Sequence, residues 1–331
     1  MRLPPKTDNR YLMAHNWKKA LSCGALIAGA LMMTGCLAGR YMCNYALLPE
    51  EHGNDIEGDR AKTEGRYPGI LAWYDGLHEK GVFRDTTMTG ENGYKLHAVY
   101  APADGPAEGT AVVVHGYTDN HICFLNLVRM YRDSLHYNVM VPDLHYHGYS
   151  EGRAVQMGWL DRLDVRRWAE MAHDIWNDDF LVVHGVSMGG ATTMMLSGDD
   201  LPPYFRAFID DCGYSSVWNQ FAHNLKDSFH LPPFPVLNSA SIVCKHRYGW
   251  GFKEASSLKQ LAKCDRPMLF IHGENDDFVP TADVYKNYEA KTHGYKEMWI
   301  APGSEHAMAY KDHPAAYTEH VRQFLKKAKS L

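Results

Sequence analysis

From residue 110 onward, apolar runs of strand length alternate with amphipathic stretches of helix length. The runs are TAVVVHG (110–116), NVMVPDL (138–144), FLVVHGVS (180–187), FRAFIDDC (205–212), PMLFIHG (267–273) and KEMWIAPG (296–303). Each is rich in β-branched or aromatic residues and lacks apolar–polar alternation, the mark of strands buried on both faces. Helix-length stretches at 122–136, 159–176, 191–198 and 281–292 lie between them, and 314–329 closes the chain. Strands joined through helices need crossover connections. The sequence therefore predicts an α/β fold, a mostly parallel, doubly wound sheet with helices on both sides. A short helix over 70–81 and a hairpin around Gly90–Gly93 precede it. One interval, 213–262, is aromatic and Pro-rich with no clear strand. It reads as an insertion between two strands that sits over the sheet as a lid.

The N-terminus differs in kind. Lys18 and Lys19 precede ALSCGALIAGALMMTGCLAG (20–39), which carries no charge before Arg40. A basic flank and an apolar run of about 20 residues match an export signal or a membrane anchor. The positive charges on its N-terminal side place the domain outside the cytoplasm. MTGC (33–36) offers a second reading, a lipoprotein lipidated on Cys36. Residues 1–45 are thus predicted as export signal or anchor, 46–80 as tether and lead-in, and 81–330 as the catalytic domain. The net charge of −5 excludes a basic surface for nucleic acid. Of seven cysteines, Cys23 and Cys36 fall in the export segment. The other five (Cys43, Cys123, Cys212, Cys244, Cys264) show no paired spacing and specify no disulfide.

In open parallel sheets, ligands gather at the carboxyl ends of the strands. Three of the runs end there in His-Gly: AVVVHGYTDN (111–120), LVVHGVSMGG (181–190) and MLFIHGENDDFVP (268–280). The second continues as Gly185-Val186-Ser187-Met188-Gly189, a G-x-S-x-G word between a buried strand and a helix-compatible run. That context puts a serine on a tight strand-to-helix turn, its hydroxyl exposed at a helix N-terminus. A serine hydroxyl needs an adjacent base. In this arrangement the acid and the histidine follow the serine in chain order. His306, after the last run in APGSEH (301–306), is the predicted base, ahead of His293 and His313. Asp276, three residues past Gly273, is the predicted acid. Asp277 is the fallback, and Asp210 or Asp211 a further alternative. The backbone N–H groups of Met188 and Tyr117 are the predicted oxyanion donors. No metal or cofactor is predicted. His145-x-His147 has ligand-like spacing but no third partner.

At these residues the chain resembles the α/β-hydrolase superfamily. HGYTDN, DLHYHGYS, HGVSMGG, HGENDDFVP and GSEHAMAY stand in that family's order and spacing over about residues 80–330. The chain looks closest to a bacterial, membrane-anchored branch. That branch is related to the dienelactone-hydrolase, serine-aminopeptidase-like and acyl-CoA:amino-acid acyltransferase-like groups. There an apolar segment runs into an NYAL-P motif, here Asn44 to Pro49, so the resemblance implies a retained anchor in the bacterial envelope. The loop Asp143–Ser150 departs from the family's D-x-R-G-H-G-x-S, with His-Tyr for Arg-Gly.

The expected function is hydrolysis of a carboxylic ester on a Ser187–His306–Asp276 triad, with a small acyl compound as substrate. Peptide or amide hydrolysis, thioester hydrolysis or acyl transfer could use the same triad. A non-catalytic binding protein on the same fold is the alternative outside enzymology.

Overall fold

A computed structural model describes residues 37–331. The chain enters as a helix over residues 37–47 (α1), followed by α2 (Ile56–Arg66) and α3 (Ile70–Glu79). The hairpin β1 (Arg84–Thr89) and β2 (Lys95–Ala101) leads to β3 (Thr110–Val114), α4 (Leu125–Arg129), β4 (Asn138–Pro142) and α5 (Asp161–Trp176). Next come β5 (Leu181–Val186), α6 (Met188–Leu196) and β6 (Phe205–Asp211). Three helices then intervene: α7 (Val217–Phe229), α8 (Val236–Tyr248) and α9 (Ser257–Leu261). The chain ends with β7 (Met268–Gly273), α10 (Ala282–Ala290), β8 (Lys296–Ala301), α11 (Ala309–Asp312) and α12 (Pro314–Lys329).

The eight strands lie in the order β1-β2-β4-β3-β5-β6-β7-β8. β1, β2 and β4 pair antiparallel, and every pairing from β4 through β3 to β8 is parallel. The unalternated apolar runs have their explanation in the core. Val112 and Val114 of β3 join one buried cluster while Ala111 and Val113 join the other. Met268 and Phe270 of β7 divide from Leu269 and Ile271 in the same way. Both faces of each central strand are covered, so no position is left for a polar residue. The strand order reverses at β3, which has β4 on one side and β5 on the other. A crevice opens at such a switch point.

Three expectations need correction. The stretch 41–67 is not a tether. Cys43 and Leu47 of α1 are fully buried, and the Val155 N–H donates to the Leu47 carbonyl at 2.9 Å. Gly39, Cys43 and Leu47 recur every fourth residue as one narrow buried stripe. Its neighbours Leu37, Ala38, Tyr41, Met42, Tyr45 and Ala46 are themselves largely apolar or aromatic, so no polar face set the stripe off in the sequence. In α2, Asp55 caps the N-terminus by accepting from Gly58 N–H, and Asn120 donates to Asp59 at 2.8 Å. Residues 37–45, assigned to the anchor, therefore belong to the domain. The rest of that segment lies outside the described residues. Among the described residues, no helix is long and apolar enough to cross a membrane. Finally, the helix expected over 122–136 is broken into a 3-10 turn (His121–Phe124), α4 and a π turn (Met130–Ser134).

The departing loop after β4 is closed on Asp143. This buried carboxylate accepts from the backbone N–H of His121 (2.9 Å) and Tyr149 (3.0 Å) and from the His97 (2.8 Å) and His121 (2.9 Å) rings. Burial opposes its charge, but the two histidines outweigh that and hold its pKa well below the usual carboxylate range. His97 also contacts Asp85 at 2.8 Å. Burial disfavours its charged form, yet the two carboxylates raise its pKa.

Candidate active site

Ser187 follows the last residue of β5 and precedes the first of α6. Its φ is +58° with ψ −115°, a strained conformation for a residue with a Cβ. The flanking glycines make the turn possible. A Cβ on Gly185 would lie 2.0 Å from the Gly189 carbonyl oxygen, and one on Gly189 would lie 2.1 Å from that of Val114. No side chain fits at either place.

The Ser187 hydroxyl lies 2.8 Å from Nε2 of His306. Nδ1 of the same ring lies 2.7 Å from Oδ2 of Asp276. His306 comes from the loop after β8 and Asp276 from the loop after β7, so three strand ends converge on one chain of hydrogen bonds. The other oxygen of Asp276 accepts from the N–H groups of Phe278 (3.0 Å) and Val279 (2.9 Å). Burial works against the Asp276 charge. Hydrogen bonds from His272 and His306 outweigh it and bring its pKa down to about 2. Phe278 packs on the His306 ring with centroids 4.9 Å apart.

The alternative acids and bases stand elsewhere. Asp277 is exposed. Asp211 accepts from the Tyr317 hydroxyl at 2.8 Å and Asp210 from the Gly213 N–H at 3.0 Å. Burial pushes Asp210 up to about 7 and Asp211 up to about 6. His293 is exposed, and His313 contacts the Pro302 carbonyl at 2.8 Å.

Gly116, at the end of β3, brings its loop against the serine. A Cβ built there would lie 3.6 Å from Cβ of Ser187. The Tyr117 N–H follows directly, and Met188 opens α6 on the other side. Among the described residues neither amide has a protein acceptor. Both are free to meet a substrate oxygen, Met188 as the first-turn amide of α6 and Tyr117 from the turn after β3. The Tyr117 hydroxyl donates to the Ala46 carbonyl at 3.0 Å.

The three His-Gly histidines are structural. His115 donates to the Gly116 carbonyl (2.7 Å) and accepts from the Leu144 N–H (2.8 Å), and burial pushes its pKa down to about 4. His184 sits between the hydroxyls of Tyr131 and Tyr317, each 2.9 Å away. His272 lies 2.9 Å from the Val279 carbonyl and 3.2 Å from Asp276. It therefore braces the acid from behind, a contact with no signal in the sequence beyond the strand-end histidine itself. In His145-x-His147, the His145 ring accepts from the Arg153 N–H at 3.3 Å and the His147 ring from the Thr118 N–H at 3.3 Å. Among the described residues, two groups bring histidine, carboxylate or thiol atoms close enough for a metal: His97–His121–Asp143 and Cys212–Asp276–His306. In each, the carboxylate is already the hydrogen-bond partner of imidazole nitrogens.

A cavity of about 780 Å³ ends on Ser187, Met188 and Tyr117. Its walls include Tyr41, Met42 and Tyr45 of α1, Phe221 and Phe229 of α7, and Leu237 of α8. The α1 residues were missed in the sequence because that stretch reads as anchor and tether.

Residues 145–330 match the prolyl oligopeptidase family. The uncharacterized protein YqkD of Bacillus subtilis (strain 168) is 32% identical over 235 residues, which is 70% of this chain and 76% of that one. This chain belongs to the prolyl oligopeptidase family. It is an α/β-hydrolase and a serine hydrolase. A putative esterase/lipase 3 of Mycoplasma pneumoniae is 24% identical over 66% of this chain and 88% of its own. The Pyrococcus furiosus esterase Pf2001 superposes with a TM-score of 0.61 at 21% identity, over 76% of this chain and 95% of that one. For this prolyl oligopeptidase family member, that likeness concerns the fold.

Proposed function

We propose that this hydrolase cleaves carboxylic esters of apolar acyl groups, with Ser187 as nucleophile, His306 as base and Asp276 as its orienting acid. The observation that carries the reading is a serine hydroxyl 2.8 Å from an imidazole at the end of a mostly apolar cavity of about 780 Å³. Such a volume is typical of a small-molecule site.

The Ser187 oxygen attacks the ester carbonyl carbon as its proton passes to Nε2 of His306. The carbonyl oxygen becomes an oxyanion, met by the N–H groups of Met188 and Tyr117. Collapse expels the alcohol, which takes the proton from His306, and leaves an acyl group on Ser187. Water activated by the same imidazole then releases the acid. Asp276 holds the imidazole in the tautomer that accepts at Nε2 and stabilises its charged form.

A series of p-nitrophenyl esters from acetyl to dodecanoyl tests the substrate class. Each buried methylene is worth about 0.8 kcal/mol, so kcat/KM should rise roughly fourfold per methylene until the cavity is filled. A flat profile would remove the acyl assignment. Faster cleavage of aminoacyl anilides than of esters would transfer the reading to a peptidase.

The same proposal places the enzyme in the bacterial envelope, with the domain outside the cytoplasm. Support comes from the uncharged run 20–39 behind Lys18 and Lys19. The full chain is expected to stay with membranes through alkaline carbonate washing. Release into the wash would overturn a retained helix. Metabolic labelling with a fatty acid that a Cys36→Ala variant loses would assign the lipoprotein form.

A further inference from the structure

We propose that Cys43 of α1 and Cys244 of α8 are a disulfide site, a covalent bond across the wall of the substrate cavity. The two helices meet at backbone distance. A Cβ on Gly39 would stand 2.5 Å from Cβ of Ser239 and 2.9 Å from the Ala240 nitrogen. Four residues on from Gly39 is Cys43, and four residues on from Ala240 is Cys244. Beyond them, Arg247 donates to the Asn44 side chain at 2.7 Å. The contacts climb both helices together, so the helices run in the same direction and facing rows of every fourth residue interlock.

Both cysteines are fully buried in one core cluster. A disulfide needs Cα atoms within about 7 Å. Cys43 and Cys244 lie between the Gly39–Ala240 contact and the Asn44–Arg247 hydrogen bond, at facing positions of the two helices. The other described cysteines have different company. Cys123 points at Asn120, Cys264 lies beside the Arg266 carbonyl and Lys291, and Cys212 lies near Asp276 and His306.

The chemistry is thiol–disulfide exchange with a small or protein-borne disulfide as oxidant. In the exchange Cys43 attacks as its thiolate. It bonds to one oxidant sulfur and displaces the other as thiolate. Cys244 then loses its proton, attacks the Cys43 sulfur and displaces the second oxidant thiolate. Two protein thiols are oxidised, one disulfide is reduced to two thiols, and the two released protons balance the charge. Because the pair is buried, exchange occurs before α1 docks or when it lifts.

The full chain, refolded with a glutathione/glutathione disulfide couple, should yield one cross-linked peptide pair joining Cys43 to Cys244. Cys123, Cys212 and Cys264 should then alkylate after denaturation. The bond closes a loop of roughly two hundred residues, so reduction should lower Tm by about 5–10 °C. A Cys43→Ser/Cys244→Ser variant should show no such shift. Two free thiols at 43 and 244 after this treatment would overturn the proposal. So would a cross-link from Cys43 to any other cysteine, Cys36 included. Peptide mapping reads the bond without reference to hydrolysis, so it stands or falls separately from the proposed function.

Discussion

Replacing Ser187 with alanine is expected to lower kcat on any ester substrate by about 10⁶-fold, the loss seen when a serine nucleophile is removed from a working triad. The fold should persist. Alanine has the same Cβ in the same strained φ of +58°, and the lost hydroxyl makes its one side-chain hydrogen bond with His306. Circular dichroism and Tm should therefore match the parent. A fluorophosphonate probe should label the parent and leave the variant untouched. A variant with a tenth of the parent rate, or a parent the probe does not label, would remove Ser187 as nucleophile.

The second large effect separates two adjacent acids. Asp276→Asn should lower kcat by about 10⁴-fold, because an amide facing His306 favours the wrong tautomer. Its oxygen can still accept from the Phe278 and Val279 amides, so the loop should hold. Asp277→Asn should change kcat by no more than about twofold, as expected for an exposed side chain. Equal losses in the two variants would place the acid outside this geometry. The same carboxylate contributes to acid stability. Its folded pKa of about 2 lies below the unfolded value of about 3.9. Its contribution is therefore full above about pH 4 and is lost as pH falls through 2.

The site's polar residues are legible in the sequence for a physical reason. In a parallel sheet every strand delivers its next loop to one edge. Ser187, Asp276 and His306 each stand in the first few residues after a buried run, so the run itself points to them. The acid was the open point, because Asp276 and Asp277 share a loop and only the turn decides which one faces inward. The cavity wall was not legible. α1 announces itself through three small or apolar residues, Gly39, Cys43 and Leu47, at a spacing of four. A stripe with neighbours as apolar as Leu37, Met42 and Ala46 carries little amphipathic signal, and the uncharged run before it invites a membrane reading. The broken helix after Asn120 was missed for a related reason. Its apolar periodicity is intact, and hydrogen-bond spacing leaves no trace in residue type.

Tyr117 links these parts. Its hydroxyl donates to the Ala46 carbonyl of α1, and its backbone follows Gly116 in the loop packed against Ser187. One residue thus holds the cavity wall with one end and the reacting oxygen's expected seat with the other. A shift of α1 would reach the loop after β3 through this hydrogen bond, alongside the contacts that Leu47 makes with Val155 and Asn44 with Arg247.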